Sequence, residues 1–425
     1  MVLAKIKSAL NKGKSGEKYI TALDIGTEYV KALIGRVVGE GDRQGVEVIG
    51  VGRAHQRLSD MHSGAIADIA GVVDNCDKAL NEAEDMADVT AKDVVIGIAG
   101  ELVKGETTTI KYRRPDPRKP IEKPELEHII SKVQQRALER AKAQLAWESG
   151  VPEVEIKLVN SAIVNVFIDG YKVNNPIGFQ GKDVSVQLFT AFAPMVHIGA
   201  IERVAYDLEL NLLSVAAEPY AVAKSVGVDM SESFSAVFMD VGGGTTDIAL
   251  VNDGGVEGTK MFGIGGRSFT SAIAQGTGTE FDTAEKLKLA LSGDQLDDKR
   301  RDKLQEILKP TVKVWLSGVE LALSEFENVD QLPSKILLCG GGAGLQPLVE
   351  ALKSIEWRHE LPFTKEVNIA YITPSQVDSV TDKTNKLTDH TFITPMGLLN
   401  VGLDAIVGGS AKQTWMNKLN RALQV

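Results

Sequence analysis

The sequence predicts an α/β protein of two lobes, because one strand–turn–strand device occurs in it twice. Asp24-Ile25-Gly26-Thr27 ends one apolar segment and is followed by another, Tyr29–Val38. Far along the chain, Asp240–Asp247 (Asp-Val-Gly-Gly-Gly-Thr-Thr-Asp) is followed by the apolar segment Ile248–Asn252. Each copy is a strand that ends in Asp, a tight Gly/Thr turn and a second strand. The internal repeat is therefore a pair of α/β units and not a short solenoid period.

The segments after each device complete the two units. A third strand is predicted in both, at Val46–Val51 and at Val256–Phe262. In the first unit, apolar residues at helical spacing predict a helix over Ile66–Met86, and Val94–Ile98 then predicts a buried strand. Three meandering strands, a helix and a further strand form one α/β layer.

The segment that follows the first unit has a different composition. Arg113–Pro124 is rich in Pro and charge and predicts a loop, and Glu125–Trp147 predicts a long helix. Strand-like patterns follow at Glu155–Val159 and Ile163–Ile168. We therefore expect Leu102–Lys182 to form a small inserted α+β domain.

The rest of the chain returns to alternating strands and helices. Strands are predicted at Val184–Phe192 and Lys335–Cys339, and Leu212–Ala217 is an apolar segment. Helices are predicted at Ile198–Leu210, from Glu218 onward, within Ser268–Phe326 and at Pro395–Val407, and a polar loop at Gln376–His390. The predicted parts are a basic N-terminal tail (1–18), the first-lobe core (19–101), the inserted subdomain (102–183), the first lobe resumed with a hinge (184–233), the second-lobe core (234–267), its small subdomain (268–332), its core resumed (333–390), a return helix (391–410) and an amphipathic tail (411–425).

Bulk composition excludes several classes of protein. The 425 residues are 43% hydrophobic and carry a net charge of −10, with a pI near 5.3. An acidic chain without a basic face is not expected to bind nucleic acid. Cys76 and Cys339 lie in apolar segments, which suits a reducing cytosol. Lysines interrupt Met1–Leu10, so we expect no signal peptide, and no apolar run is long enough to span a membrane.

The repeated turns predict an anion site. A glycine turn presents backbone N–H groups and hydroxyls to a phosphate, and an Asp at the strand end suits a hydrated divalent cation. Two facing copies would hold a nucleoside triphosphate and its metal ion from both sides. A third glycine run, Gly340–Gly344, follows a strand and would let the backbone lie against a base or sugar. The alternative for each copy is an ordinary glycine-containing β-hairpin.

These turns resemble the motifs of the actin-like ATPase superfamily. Asp24–Thr27 resembles its first phosphate loop, Asp240–Asp247 its second, and Leu338–Gly344 its adenosine loop. Leu213–Ser225 and Thr394–Gly408 resemble its two hinge segments. Within the superfamily the sequence is most similar to the bacterial cell-division family FtsA, over Tyr19–Gly408. The resemblance implies a two-lobed actin-like fold, of the duplicated ribonuclease-H-like type, with an inserted small α+β domain.

The resemblance also implies roles for individual residues, with ATP and Mg²⁺ as cofactors. Asp24 and Asp240 would hold magnesium through water, with Asp247 in support. Glu218 would orient the attacking water, the alternative being a helix N-terminal acid stabilised by the helix dipole. Glu285 and Lys288 would reach the ribose, or else form an ordinary charged pair on a solvated helix face. The residues implied in nucleotide binding are Gly26, Thr27, Gly242, Gly243, Gly244, Thr245, Gly265, Gly266, Glu285, Lys288, Gly340, Gly341, Gly342 and Gly344.

Two residues depart from the family pattern. Glu28 follows the first phosphate loop, where relatives usually carry a small residue, and a carboxylate there would repel a γ-phosphate unless it points away. Arg267 follows Gly265-Gly266, where FtsA proteins usually carry an acid. Nucleotide binding is therefore the firmer expectation, and hydrolysis, at most weak, is left open.

Both ends of the chain have an amphipathic, basic pattern. Gln413–Val425 predicts a helix lying in the interface of an anionic membrane, or else a helix packed on the protein's own surface. Met1–Lys14 predicts either a second anchor or a basic tail. The membrane contacts are predicted at Trp415, Met416, Lys418, Leu419, Arg421 and Leu423.

The function implied by the resemblance is that of an actin homologue at the inner face of the cell membrane. It would bind ATP, polymerise into filaments, and tether the FtsZ division ring through the FtsZ C-terminal peptide, beside other division proteins. Two alternatives remain: a PilM-like cytoplasmic adaptor of type IV pilus assembly, and a metabolic kinase of the same superfamily.

Overall fold

The structure is a computed structural model that describes residues 17–39, 44–100, 103–226, 234–293, 295–326 and 329–407 of the chain. In the N-terminal half the elements are β1 (Tyr19–Ile25), β2 (Tyr29–Val38), β3 (Gly45–His55), β4 (Met61–His62), β5 (Ala65–Ile66), α1 (Ile69–Ala87), β6 (Asp93–Ile98), β7 (Lys104–Arg113), α2 (Lys123–Ser149), β8 (Ile156–Ile168), β9 (Tyr171–Lys172), β10 (Asp183–Pro194), α3 (Met195–Asp207), β11 (Asn211–Ala217) and α4 (Glu218–Ser225). In the C-terminal half they are β12 (Ala236–Val241), β13 (Thr246–Asn252), β14 (Gly255–Phe262), α5 (Gly266–Thr277), α6 (Phe281–Ser292), α7 (Asp298–Ser324), β15 (Lys335–Cys339), α8 (Gln346–Lys353), β16 (Asn368–Tyr371), β17 (Val380–Asp382) and α9 (Ile393–Val407).

The two lobes are built on the same strand order, which confirms the predicted duplication. The first sheet has the order β11-β6-β1-β2-β3-β17, and the second begins β16-β15-β12-β13-β14. In each, a three-stranded antiparallel meander is extended by two parallel strands on the side of its first strand. The predicted α/β class and two-lobed actin-like architecture are therefore confirmed.

One apolar core fills the first lobe and extends onto strands of the second, and a separate core fills the rest of the second lobe. Strand β1 is buried from Ile20 to Ile25, and Ile20, Leu23 and Leu33 lie in the core of the first lobe. The core of the second lobe is centred on Trp315 of α7, whose indole N–H donates to Thr246 Oγ1 at 2.9 Å. Helix α4 contacts both α9 of the first lobe and β13 of the second, so it lies where the lobes join.

The region inserted after β6 continues the second sheet. Strands β7, β10, β8 and β9 follow β14 in the order of that sheet, and α2 packs on β7 and β10. The junction is short, because only the pairs Gly258–Glu106 and Thr259–Gly105 join β14 to β7. The division of the chain into domains stays a prediction, with the insertion at 102–183.

Several predicted boundaries were wrong. The two strands predicted at Glu155–Val159 and Ile163–Ile168 are one strand, β8, because the polar residues between them are paired in the interior. Asn160 Oδ1 accepts from the Ala217 N–H at 2.7 Å, and bulges absorb the irregular register. The helix predicted from Ile66 begins at Ile69, where the Asp68 side chain caps it.

Smaller differences occur elsewhere. The helix predicted at Ile198–Leu210 starts three residues earlier, directly after Pro194, and ends at Asp207. The loop predicted at Gln376–His390 contains β17, which pairs in parallel with β3. Within the part of the chain that the structure describes, no helix is both long enough and apolar enough to cross a membrane.

Candidate functional site

The first glycine turn joins β1 to β2 and fixes a buried carboxylate. The Gly26 N–H donates to Tyr29 O at 3.1 Å and closes the turn. Asp24, near the end of β1, is opposite Lys31 in the antiparallel register. The Lys31 ammonium lies 2.9 Å from Asp24 Oδ2, with 14% of the Lys side chain and 4% of the Asp side chain exposed. The strand pairing itself therefore places a cation on the first strand-end carboxylate.

The second glycine turn joins β12 to β13 in the same way. The Gly242 N–H donates to Thr245 O at 2.9 Å, and Thr245 Oγ1 donates to Asp247 Oδ2 at 3.1 Å. Asp240, near the end of β12, accepts a hydrogen bond from Thr394 Oγ1 at the start of α9. Both carboxylates are buried.

The two turns touch one another across the lobes. A Cβ placed on Gly243 would lie 2.7 Å from the Cβ of Glu28, and one placed on Gly244 would lie 2.6 Å from Thr27 Oγ1. Such distances are well inside van der Waals contact, so only glycine allows the two backbones to approach so closely. The predicted residues of the two phosphate loops are therefore brought together at one place.

A cluster of acids lies beside these turns. Burial, followed by the charges of Asp24, Asp247 and Asp240, raises the pKa of Glu218 well above its ordinary value. Burial also raises the pKa of Asp240, and burial with the charge of Asp240 raises that of Asp247. Burial by itself lowers the pKa of Lys31, but the charges of Asp24 and Asp240 outweigh it and the net change is upward. The four acids and one lysine leave an excess of negative charge.

This excess fits a divalent cation. Asp247 Oδ1 is buried and has no hydrogen-bond partner among the described residues, so it is an acceptor to which a metal-bound water could donate. Among the residues that the structure describes, no three His, Cys, Asp or Glu side chains form a direct metal site. The site thus offers carboxylate oxygen, the kind of ligand that Mg²⁺ prefers in proteins.

The predicted ribose residues form a separate cluster in the second lobe. The Lys288 ammonium lies 2.7 Å from Glu285 and donates to Thr270 Oγ1 and Gly266 O. The Gly266 N–H in turn donates to Gly242 O at 2.9 Å. Glu285, Lys288 and the Gly265-Gly266 pair are thus brought to the edge of the second glycine turn. The two side chains form a charged pair along the helix, as the alternative expects, and most of both is covered.

The third glycine run is a short 3₁₀ turn, Gly341–Gly344, directly after β15. Gly340 precedes it with φ of +84°, and a Cβ there would overlap Asp240 Oδ1. Tyr371 donates to Ala343 O at 3.1 Å, and its ring meets the His390 imidazole edge-on at 4.6 Å. The run therefore lies beside Asp240, so all three glycine turns converge.

Proteins of one known family match this chain in sequence. The sequence profile of the family described as "Cell division protein FtsA" matches residues 237–397. The cell division proteins FtsA of Pseudomonas aeruginosa and Escherichia coli K12 are each 24% identical to this chain, over 410 and 449 residues. These alignments cover 91% and 96% of this chain, and 89% and 98% of the relatives. The chain has the actin-like fold and is similar to FtsA.

A solved structure titled "PilM-PilN type IV pilus biogenesis complex" shares the fold. It superposes with a TM-score of 0.64 at 17% identity, and the match covers 90% of this chain and 98% of that one. At that identity the likeness concerns the fold alone.

Sequence reasoning missed three features of the site. It gave Lys31 no part in the site, although the register of a tight hairpin places residue 31 opposite residue 24. Thr394 was noted only as the first residue of a hinge segment, and its bond to Asp240 requires the two lobes to be in place. The two departures from the family pattern, Glu28 and Arg267, contact each other: Arg267 Nε donates to Glu28 Oε2 at 2.7 Å.

The predicted membrane residues cannot be placed. Trp415, Met416, Lys418, Leu419, Arg421 and Leu423 all lie outside the described residues, as does the basic segment Met1–Lys14.

Proposed function

We propose that this chain binds ATP with Mg²⁺ between its two lobes and works as an FtsA-type actin homologue in cell division. The observation that carries the proposal is the contact of the two glycine turns beside four buried acids and the half-buried Lys31. Such a site presents N–H donors and hydroxyls for phosphates and an excess of carboxylate oxygen for a hydrated cation. The similarity to FtsA proteins over most of the chain supports the role in division.

Each residue of the site has a role in this proposal. Asp24, Asp240 and Asp247 would hold a hydrated Mg²⁺, which would supply charge neutralisation to the phosphates. The backbone of Gly26, Thr27 and Gly242–Thr245 binds the β- and γ-phosphates. The cluster of Glu285 and Lys288 faces the ribose, and Gly340–Gly344 packs against the adenine.

Lys31 joins this set as the counter-charge of the strand-end carboxylates. Its ammonium lies on Asp24 and is held charged by Asp24 and Asp240. A lysine so placed offers the remaining ammonium protons to a phosphate oxygen.

Glu218 positions the attacking water if the nucleotide is hydrolysed. It begins α4 at the join between the lobes, and its side chain lies against Gly97 of β6. With a raised pKa, its carboxyl holds a proton at higher pH than an exposed glutamate does. Phosphoryl transfer depends mainly on placement and charge neutralisation, so a positioning group of this kind is sufficient.

The chain acts at the inner face of the cell membrane in this proposal. The basic amphipathic segment around Trp415 lies in the lipid interface, and filament formation strengthens the weak attachment of each copy. The polymer then tethers the FtsZ ring through the FtsZ C-terminal peptide, beside other division proteins. A pilus-adaptor role like that of PilM is not favoured, because the pilus complex shares the fold at only 17% identity.

The test is recruitment of FtsZ to vesicles. Purified FtsZ is mixed with vesicles that contain anionic phospholipid, with and without this chain and with ATP and Mg²⁺, and the vesicles are sedimented. We expect FtsZ in the pellet only when this chain is present, and less of it when FtsZ lacks its C-terminal peptide.

Two tryptophan variants make the control. Trp415→Glu should abolish recruitment, whereas Trp147→Glu should not, although the Trp147 side chain is 85% exposed. Failure of the intact chain to bring FtsZ to the vesicles would overturn the tethering role, and equal loss with both variants would overturn the assignment of the anchor.

A further inference from the structure

Arg267 reaches from the second lobe into the first. It stands in the first turn of α5, and its backbone N–H donates to Gly243 O at 2.8 Å. Its guanidinium forms an ion pair with Glu28, 239 residues away in sequence, and donates to the backbone carbonyls of Arg57, Leu58 and Met61. One side chain therefore bonds to four residues of the opposite lobe.

The ion pair is held in a sheltered place. Only 15% of the Arg267 side chain and 17% of the Glu28 side chain are exposed. The second carboxylate oxygen of Glu28 lies 2.7 Å from His55 Nε2, and that ring packs edge-on against Tyr29. The Glu28 carboxylate is thus bonded to Arg267 and His55. Its charge is paired with Arg267, so the repulsion of a γ-phosphate expected from the sequence is reduced.

The carbonyl acceptors of Arg267 lie on a fixed segment. Asp60, which has no exposed surface, accepts from the Arg57 N–H at 2.9 Å and from the Asn75 amide at 2.9 Å. The Asp60 carbonyl accepts from the N–H groups of Ala67 and Asp68. Since these bonds tie the segment to α1, Arg267 binds a rigid part of the first lobe and not a loose loop.

This bridge stands where the two glycine turns meet. Gly243 lies against Glu28 and Gly244 against Thr27, too closely for even a methyl group to fit between them. A phosphate is larger than a methyl group and cannot pass between the turns while that contact is kept. Separation of the lobes at this point requires the bonds of Arg267 to break.

We propose that the Glu28–Arg267 pair is an interlobe clasp that limits nucleotide exchange by holding the two glycine turns in contact. This rests on the proposed binding of ATP in the cleft. A broken clasp lets the lobes part more often, so nucleotide both enters and leaves faster. The clasp acts by positioning the turns and not by chemistry on the nucleotide.

The first experiment measures exchange of a fluorescent ADP analogue with Mg²⁺ by stopped flow, with excess ATP as competitor. Arg267→Ala, which removes all four interlobe bonds of the side chain, should speed dissociation about tenfold, the kinetic equivalent of about 1.4 kcal/mol. Glu28→Ala, which removes the ion pair and leaves the three carbonyl bonds, should speed it less. The double variant should be no faster than Arg267→Ala, because the ion pair is already lost in that variant. Arg36→Ala, which breaks the 2.7 Å pair with Glu47 inside the first lobe, should leave the rate unchanged.

The second experiment needs no nucleotide. Hydrogen exchange followed by mass spectrometry should show faster exchange in Arg267→Ala than in the natural chain, at peptides covering Gly26–Glu28 and Gly242–Thr245. Glu28→Gln, which keeps an acceptor and loses the charge, should give an intermediate rate and serves if the alanine variants fold poorly.

The outcomes separate the two proposals. If the natural chain binds no nucleotide, the proposed function fails, and hydrogen exchange alone decides whether the clasp exists. Unchanged amide exchange at both turns would show that Arg267 does not hold them together. Faster amide exchange with unchanged nucleotide dissociation would overturn its control of exchange, and additive effects of the two alanine variants would overturn the pairing.

Discussion

Replacing Lys31 with methionine tests the electrostatics of the site most directly. The substitution keeps the length of the side chain and removes its charge, which leaves Asp24 buried without a counter-charge. Removing one partner of a buried ion pair costs about 3–5 kcal/mol. Because the Lys31 side chain is 14% exposed, water can partly replace it, and we expect about 3 kcal/mol, the lower end of that range.

The pH of the measurement follows from the direction of the pKa shift. The pKa of Lys31 is raised above its ordinary value of 10.5, although burial acts against this. A lysine with a raised pKa stabilises the fold fully below its unfolded pKa and loses that stabilisation as pH rises through the folded value. A measurement at pH 7.5 therefore records the whole effect.

The assay is urea-dependent hydrogen exchange, read at peptides from β1 and β2. These strands carry Asp24 and Lys31, so their free energy of opening reports on the first lobe and not on the whole chain. Lys260→Met is the matched control, because its pair with Glu325 is more exposed and contributes about 0.5 kcal/mol.

A second substitution decides between an electrostatic cause and a packing cause. Asp24→Asn added to Lys31→Met removes the unpaired charge and should recover at least half of the loss. If β1 and β2 open as rarely in Lys31→Met as in the natural chain, the ion pair does not stabilise the first lobe. If the double variant is no more stable than the single one, the loss does not come from the unpaired charge of Asp24.

Three further predictions concern the second lobe. Gly340→Ala should destabilise that lobe and weaken nucleotide binding, because φ of +84° alone costs about 1–2 kcal/mol and the methyl group would overlap Asp240. Gly199→Ala, in α3 and with nothing near the new methyl group, should bind as before, and titration with fluorescent ADP checks both. Asp247→Asn should stabilise the chain measured without nucleotide, and more so at pH 8 than at pH 5. Because the pKa of Asp247 is raised in the folded chain, the fold loses stability as pH rises from about 4 through that folded pKa. Equal urea midpoints of the natural chain and Asp247→Asn at pH 8 would contradict this. Trp315→Phe should cost about 2 kcal/mol in urea unfolding, from the lost bond to Thr246 and the smaller ring; a loss below 0.5 kcal/mol would show that the site relaxes around the change.

The repeated units could be predicted from sequence because their signals are local. Where one strand ends in Asp-x-Gly and the next begins within a few residues, only a tight turn can join them. The strand Lys335–Cys339 was also predicted, at its observed bounds. The helix that begins at Glu218 was likewise predicted from a Glu-Pro start, since proline is favoured in the first turn of a helix.

The parts that escaped prediction depend on contacts between distant segments. Glu28 and Arg267 each looked like an isolated departure, and only the packing of the lobes shows that each neutralises the other. Asn160 looked like a break between two strands because its buried partner, the Ala217 N–H, is far away in sequence. Polar residues that are satisfied by tertiary contacts give no local signal of their state.

The nine-stranded sheet can transmit mechanical force from the inserted region to the second lobe. Tension applied at β8 passes through β10 and β7 into β14 and then to β13 and β12, which carry the second glycine turn. Strands β7 and β10 are joined by ten residue pairs, whereas β7 and β14 are joined by two. Thr107 adds one side-chain bond to Val256 O at this seam. A load on the inserted region would therefore part the sheet first between β7 and β14, before it reached the strands that hold the site.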